Sequence, residues 1–139
     1  TAPLHISGTA RLKIRVAANK KAANLSVWLV ALPWETGGHI NDNIITRGWA
    51  DPQNAESLWE SEPLKKGQFV DLEFNLEPDD QIIPAGQRLG LMIFSSDRDF
   101  TLLPKAGTQL SIDLDATSLE LPIVGGLAAF YAATGMESN

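Results

Sequence analysis

Residues 9–17, TARLKIRVA, alternate between apolar and charged side chains: Leu12, Ile14 and Val16 fall on one side, Arg11, Lys13 and Arg15 on the other. That period of two describes a strand with one buried and one wetted face. Residues 69–77 repeat it with the opposite charge, placing Val70, Leu72, Phe74 and Leu76 inward and Asp71, Glu73, Asn75 and Glu77 outward. If both strands lie in one sheet, Arg11, Lys13 and Arg15 face Asp71 and Glu73, each exposed pair contributing about 0.2–1 kcal/mol.

The chain between and beyond them reads as more short strands set apart by turn residues. Leu25–Leu32, LSVWLVAL, is apolar on both faces and predicts a buried strand, although a short helix has the same pattern; Pro33 ends it. Residues 35–43, with Gly37, Gly38, Asn41, Asp42 and Asn43, predict an exposed loop. Ile44–Ala50 resumes extended structure, and Gly48 within it marks a bulge or the close approach of another backbone. Asp51 and Pro52 suit the cap and first turn of a short helix through Leu58 or Trp59. A reversal over Ile83–Gly86, with Pro84 second in the turn, leads into Leu89–Phe94, whose apolar residues on both faces predict a central strand. Ser95, Ser96 and Asp97 end it. A short strand over 101–103 and a hairpin of 109–114 with 118–121 around Asp115, Ala116 and Thr117 follow. The Ala-rich residues 127–133 can form a turn or two of helix.

Eight or nine short strands with little helix predict an all-β fold: an antiparallel β-sandwich of jelly-roll type, galactose-binding-domain-like, over residues 1–126, with a partly helical or mobile tail over 127–139. A chain of 139 residues suits one such domain. Without cysteine it has no disulfide framework, thiolate nucleophile or cysteine zinc site. A first residue of Thr rather than Met predicts a fragment or a processed chain. The net charge of −6 argues against nucleic acid as a partner, and no apolar run approaches the roughly 20 residues of a membrane helix.

Chemistry-bearing motifs are sparse. There is no Gly-x-Ser-x-Gly nucleophile elbow, no His-Glu-x-x-His and no glycine loop entering a helix, so no catalytic residue, cofactor or metal is assigned. His5 and His39 suit surface positions. The acidic pairs Asp79/Asp80, Asp97/Asp99 and Asp113/Asp115 offer oxygen ligands for calcium, yet each also fits a turn or a wetted strand face. Trp28 suits the core. Trp34, Trp49 and Trp59 lie at strand ends or in a loop, where an indole stacks on a sugar, covers the sandwich edge or fills a domain contact.

ITRGWADPQN (45–54), the run from Pro63 to Thr108 with its Ile-Pro-Ala-Gly turn and Ser-Ser-Asp loop, and LELPIVGG (119–126) resemble the C-terminal domain of bacterial Xaa-Pro dipeptidyl-peptidase, especially the lactic-acid-bacterial enzymes. Cocaine esterase and the α-amino-acid ester hydrolases carry a similar domain. The resemblance implies a cytoplasmic, often homodimeric serine peptidase as parent, one that releases X-Pro dipeptides from a peptide substrate. It implies also that the catalytic triad belongs to a separate α/β-hydrolase domain, the expected partner of this chain. On that reading Arg11, Lys13, Arg15, Trp49 and the loop Ser95, Ser96, Asp97 are candidates for a docking face, and Arg47 is expected to be held by Asp51 or Asp97. The alternative is a free-standing carbohydrate-binding sandwich.

Overall fold

The two oppositely charged strands are neighbours. A computed structural model describes residues 1–34 and 38–136. Its strands are β1 (Leu4–Gly8), β2 (Arg11–Ala18), β3 (Leu25–Leu32), β4 (Ile44–Ala50), β5 (Val70–Asn75), β6 (Asp79–Ile83), β7 (Arg88–Phe94) and β8 (Leu110–Glu120), followed by one helix, α1 (Gly126–Thr134). β2 runs antiparallel to β5 with Lys13 opposite Glu73 and Arg15 opposite Asp71. Arg11 and Lys13 both pair with Glu73, but Arg15 turns to Asp113 on β8, its Nε 3.7 Å from Oδ2.

All pairing is antiparallel, in sheets ordered β5-β2-β8 and β4-β3-β7 with a two-stranded ribbon of β1 and β6. Together they form an all-β sandwich. Leu12, Ile14 and Val16 of β2 share one core with Leu25, Val27 and Leu29 of β3, Ile45 of β4 and Leu72 of β5, and the ribbon adds Leu4, Ile6 and Ile83. Burying each such aliphatic side chain contributes roughly 1.5–3 kcal/mol. Gly48 marks a close approach: a Cβ there would run into Leu76 Cδ2 and lie 3.2 Å from the Leu76 Cα.

Several expectations are corrected. β7 is an edge strand and β3 the central one, because apolar residues on both faces report burial and not the number of hydrogen-bonded neighbours. The turn before β7 sits one residue later, over 84–87, with Gly86 at φ +88° in its third position and Gln87 N–H donating to the Pro84 carbonyl. Asp51 does cap, accepting from Gln53 N–H, but only a 3₁₀ turn over Pro52–Asn54 follows. Residues 101–103 are not a strand. The hairpin around Asp115–Thr117 is instead a bulge within one continuous β8: its register with β2 jumps from Lys13–Ser118 to Arg15–Asp113. β1 and β6 are additional strands, and β1 also bridges to Ile123. The helix over 127–133 is present as α1, one residue longer at each end. In the expected loop over 35–43, residues 35–37 lie outside the described residues, and Ile40–Asn43 is a 3₁₀ turn.

Register places the connections. Leu25 stands opposite Ala50 and Ser26 opposite Phe94; in the other sheet Val16 stands opposite Val70 and Ala18 opposite Leu110. Residues 19–24, 51–69 and 95–109 therefore all emerge at one end of the sandwich. α1 lies at the other, where Phe130, Ala133 and Thr134 line a hollow of about 360 Å³ with Leu4, Ile83, Pro84, Arg88 and Leu89.

Candidate functional site

The loop end is organised around a carboxylate. Asp97, only 4% exposed, opens the turn over 98–100 that follows β7. Its Oδ2 accepts from Trp28 Nε1 at 3.0 Å and from Trp49 Nε1 at 3.3 Å, tying β3 and β4 to the loop. Its carbonyl accepts from the N–H groups of Phe100 and Thr101, and Asp97 N–H donates to Thr101 Oγ1. A buried carboxylate costs free energy unless donors surround it, and here the donors are indoles that would themselves be costly to leave unpaired.

Aromatic rings close around this anchor. Trp28 meets Phe94 edge to face at 4.9 Å between centroids, and Trp49 lies 5.2 Å from Phe100. The Arg47 guanidinium sits 5.3 Å from the Trp28 and Phe100 ring centres, and Nη2 donates to Asn41 Oδ1 at 2.6 Å. The expected grip of Asp51 or Asp97 on Arg47 is thus replaced by two π faces and a neutral oxygen: Asp97 is taken by the indoles and Asp51 by its cap. Trp28, Asn41, Arg47, Phe94, Asp97 and Phe100 border a hollow of about 380 Å³, with Ser96 at its margin.

Of the proposed residues, the structure gathers Arg47, Trp49, Ser96 and Asp97 here. Asp51 lies beside Trp49 along a second hollow, and Ser95 is half-buried in the chain leading to Asp97. Arg11, Lys13 and Arg15 stand apart on the outer face of the other sheet, paired with Glu73 and Asp113. Four participants escaped the sequence: Asn41, Phe94, Phe100 and the half-buried Trp28, assigned to the core. Only Phe100, a large aromatic directly after the polar run Asp97–Asp99, left a trace.

The three loops are knitted together. Asn24 Nδ2 donates to the Leu102 carbonyl, Ala23 N–H to Gln53 Oε1 and Leu64 N–H to the Lys21 carbonyl. From this frame Leu58, Trp59 and Leu102 protrude at 86%, 93% and 86% exposure, with Phe100 and Leu103 also exposed.

Elsewhere His5, Ser7 and Asp80 have the residue types of a hydrolytic triad in the wrong order. His5 Nε2 bonds Asp80 Oδ1 at 2.5 Å, so that ring nitrogen is taken by the carboxylate and is not offered to the Ser7 hydroxyl. The three acidic pairs are each engaged: Asp80 by His5, Asp97 by the indoles and Asp113 by Arg15.

Residues 1–135 match the family described as the X-Pro dipeptidyl-peptidase C-terminal non-catalytic domain. A Rhodopirellula baltica protein named "Putative Xaa-Pro dipeptidyl-peptidase" is 64% identical over 125 residues, covering 88% of this chain and 20% of the relative. The Xaa-Pro dipeptidyl-peptidase of Lactobacillus delbrueckii subsp. lactis is 31% identical over 149 residues, covering 86% and 19%. An alpha-amino acid ester hydrolase structure superposes with a TM-score of 0.69 at 17% identity over 89% of this chain and 24% of its own, a likeness of fold. The chain spans about a fifth of the length of the curated relatives it matches.

Proposed function

The chain belongs to the X-Pro dipeptidyl-peptidase C-terminal non-catalytic domain family, and from that membership we propose that it serves as the accessory sandwich of a serine-type enzyme that removes X-Pro dipeptides from peptide N-termini. The observation that carries this reading is the match of residues 1–135 to a domain described as non-catalytic. The arrangement of His5, Ser7 and Asp80 agrees with it, since the imidazole Nε2 is held by the carboxylate and is not offered to the hydroxyl. The partner is an α/β-hydrolase catalytic domain of the same chain, and the parent is cytoplasmic and homodimeric. The domain supports that catalytic domain and, through the loop end, shapes the approach of peptide to its active site. A loop braced by Asp97 and Arg47 holds Phe100, Leu102 and Leu103 in place without a metal or disulfide.

The carbohydrate-binding alternative loses its footing in the same cluster. Of the candidate indoles Trp49 directs its N–H group inward to Asp97 with Phe100 against its ring, which leaves Trp59, 93% exposed, and Trp34, 40% exposed, without Trp49 as a third stacking face.

Hydrolysis of a chromogenic X-Pro substrate by the full-length parent, by the parent lacking this domain and by the domain alone tests the proposal. The expected result is activity in the parent, loss or impairment in the truncated protein and none in the isolated domain. Turnover by the isolated domain would overturn it, as would a truncated parent as active and stable as the intact one.

A further inference from the structure

The helix end poses a different problem from the loop end. α1, GLAAFYAAT, contains no charged residue, and a helix apolar on every side is normally surrounded by protein. Here only one side is covered. Ala129, Phe130, Tyr131 and Ala133 are half-buried, no residue of the helix is fully buried, and Leu127 is 70% exposed beside Ala128 and Ala132, both open. Nor do local devices support it. Gly125 at the N-cap offers no side-chain bond, the first turn holds no acid and the last no base, while nine residues are too few for a stable isolated helix. Its stability must come from packing, and only half of that packing lies within the sandwich.

The path of the chain says what supplies the other half. Thr1 lies across the last turn of α1: its backbone nitrogen donates to the Ala133 carbonyl and its Oγ1 to the Ala132 carbonyl, satisfying two acceptors that a helix C-terminus leaves open. The family is a C-terminal domain and the match covers only 20% of the relative. In such a parent the chain that enters at Thr1 does so at the last turn of α1, and the domain it comes from is held near the helix at the high local concentration that tethering gives. Ala128 and Ala132, four apart on that face, allow a neighbouring backbone to come close. The face itself suits an apolar partner, since no residue of α1 is charged. The exposed apolar residues of the loop end differ, sharing their loops with Lys20, Lys21, Lys65, Lys66, Arg98 and Lys105.

We propose that the outward face of α1, centred on Leu127, Ala128 and Ala132, is the seat of the catalytic domain that precedes this chain in the parent. The assignment rests on the reading of the chain as an accessory domain. The sandwich is then rooted at its helix end and reaches outward with its loop end.

Cysteine labelling in the full-length parent tests it with a readout independent of turnover. Ala128→Cys, Ala132→Cys and, at the loop end, Ala106→Cys are introduced singly, and maleimide uptake at each is followed by peptide mass spectrometry under native conditions. The cysteines at 128 and 132 should label at least about tenfold more slowly than that at 106, the retardation that roughly 1.4 kcal/mol of opening free energy already produces. Equal labelling at all three positions would overturn the assignment. So would protection at 128 and 132 that disappears when a dimeric parent is diluted to monomer, because the face would then belong to a second copy. X-Pro hydrolysis is measured on the same samples. An active parent that labels freely fails the seat alone, whereas a protected but inactive parent supports the seat and fails the activity assigned to the parent.

Discussion

The two ends of this sandwich solve the problem of a loop and of a helix by opposite means. At the loop end, polar groups are brought inside and held by directional contacts: one carboxylate collects two indole N–H groups, and one guanidinium lies near two rings and donates to Asn41 through Nη2, although its Nε is buried without a hydrogen-bond partner among the described residues. At the helix end there is almost nothing polar to satisfy, and an uncharged helix rests on the sheet by half its surface. Directional bonds make the first end self-sufficient, whereas non-directional apolar contact leaves the second dependent on whatever covers it.

Variants can break that contrast in a definite order. Asp97→Ala should do the most damage, because it strands the Trp28 and Trp49 N–H groups together. A loss of about 2–4 kcal/mol, read by calorimetry as a fall on the order of 10 °C in the sandwich's unfolding transition, is expected. Asp97→Asn keeps an acceptor oxygen and should lose visibly less. Gly48→Ala pushes a methyl group into Leu76 and should cost about 1–3 kcal/mol, measurable as a shifted denaturant midpoint with unchanged slope. Arg47→Ala removes the contacts with Trp28, Phe100 and Asn41. About 1–2 kcal/mol should go, with faster amide exchange over residues 97–104, and Arg47→Lys should restore only part because an ammonium lacks the planar face. Unchanged exchange in the alanine variant would show that the loop end does not depend on this residue.

Leu127→Glu sharpens the comparison from the other side. The side chain is already largely in water, so unfolding of the sandwich itself should move by less than about 0.5 kcal/mol. The weakest effect belongs to Asp80. Its hydrogen bond with His5, with smaller help from the charge of His5 and from Ser7, holds the carboxyl below its ordinary 3.8. A lowered folded value means that the contribution is present above the unfolded value and fades as pH falls through the folded one. Asp80→Asn should therefore lower the melting temperature slightly at neutral pH and leave it unchanged well below about pH 4, so that the acid limb of the profile is flatter than in the unsubstituted sequence.

Much of the frame could be read before any coordinates. Arg11, Lys13 and Arg15 against Asp71 and Glu73 announced a strand pair because side-chain period and charge sign are both local properties that pairing must respect, although Arg15 takes Asp113 as its ion-pair partner. Where the reading failed, the same letters served two geometries. Asp115, Ala116 and Thr117 suit a turn as well as the bulge they form, and apolar residues on both faces of 89–94 suit an edge strand as well as a central one. Leu4 and Ile6 carried the alternation of β1, but over five residues that signal is too short to separate from a terminal segment. In the candidate site Arg47, Trp49 and Asp97 stood out as residues needing partners; which partners they take was not legible.

By itself, then, the chain's own pattern determined the all-β class, the inward face of each long strand, the charge match between the two outer faces, and the lack of a nucleophile elbow. Only the tertiary structure decided that Asp97 holds Trp28 and Trp49, 69 and 48 positions away, and that Asn41 rather than a carboxylate steadies Arg47. The reason is one of range. Periodicity is imposed residue by residue along a strand, whereas these contacts follow from how connections far apart in sequence fold back over the same sheet, a geometry that no single segment carries.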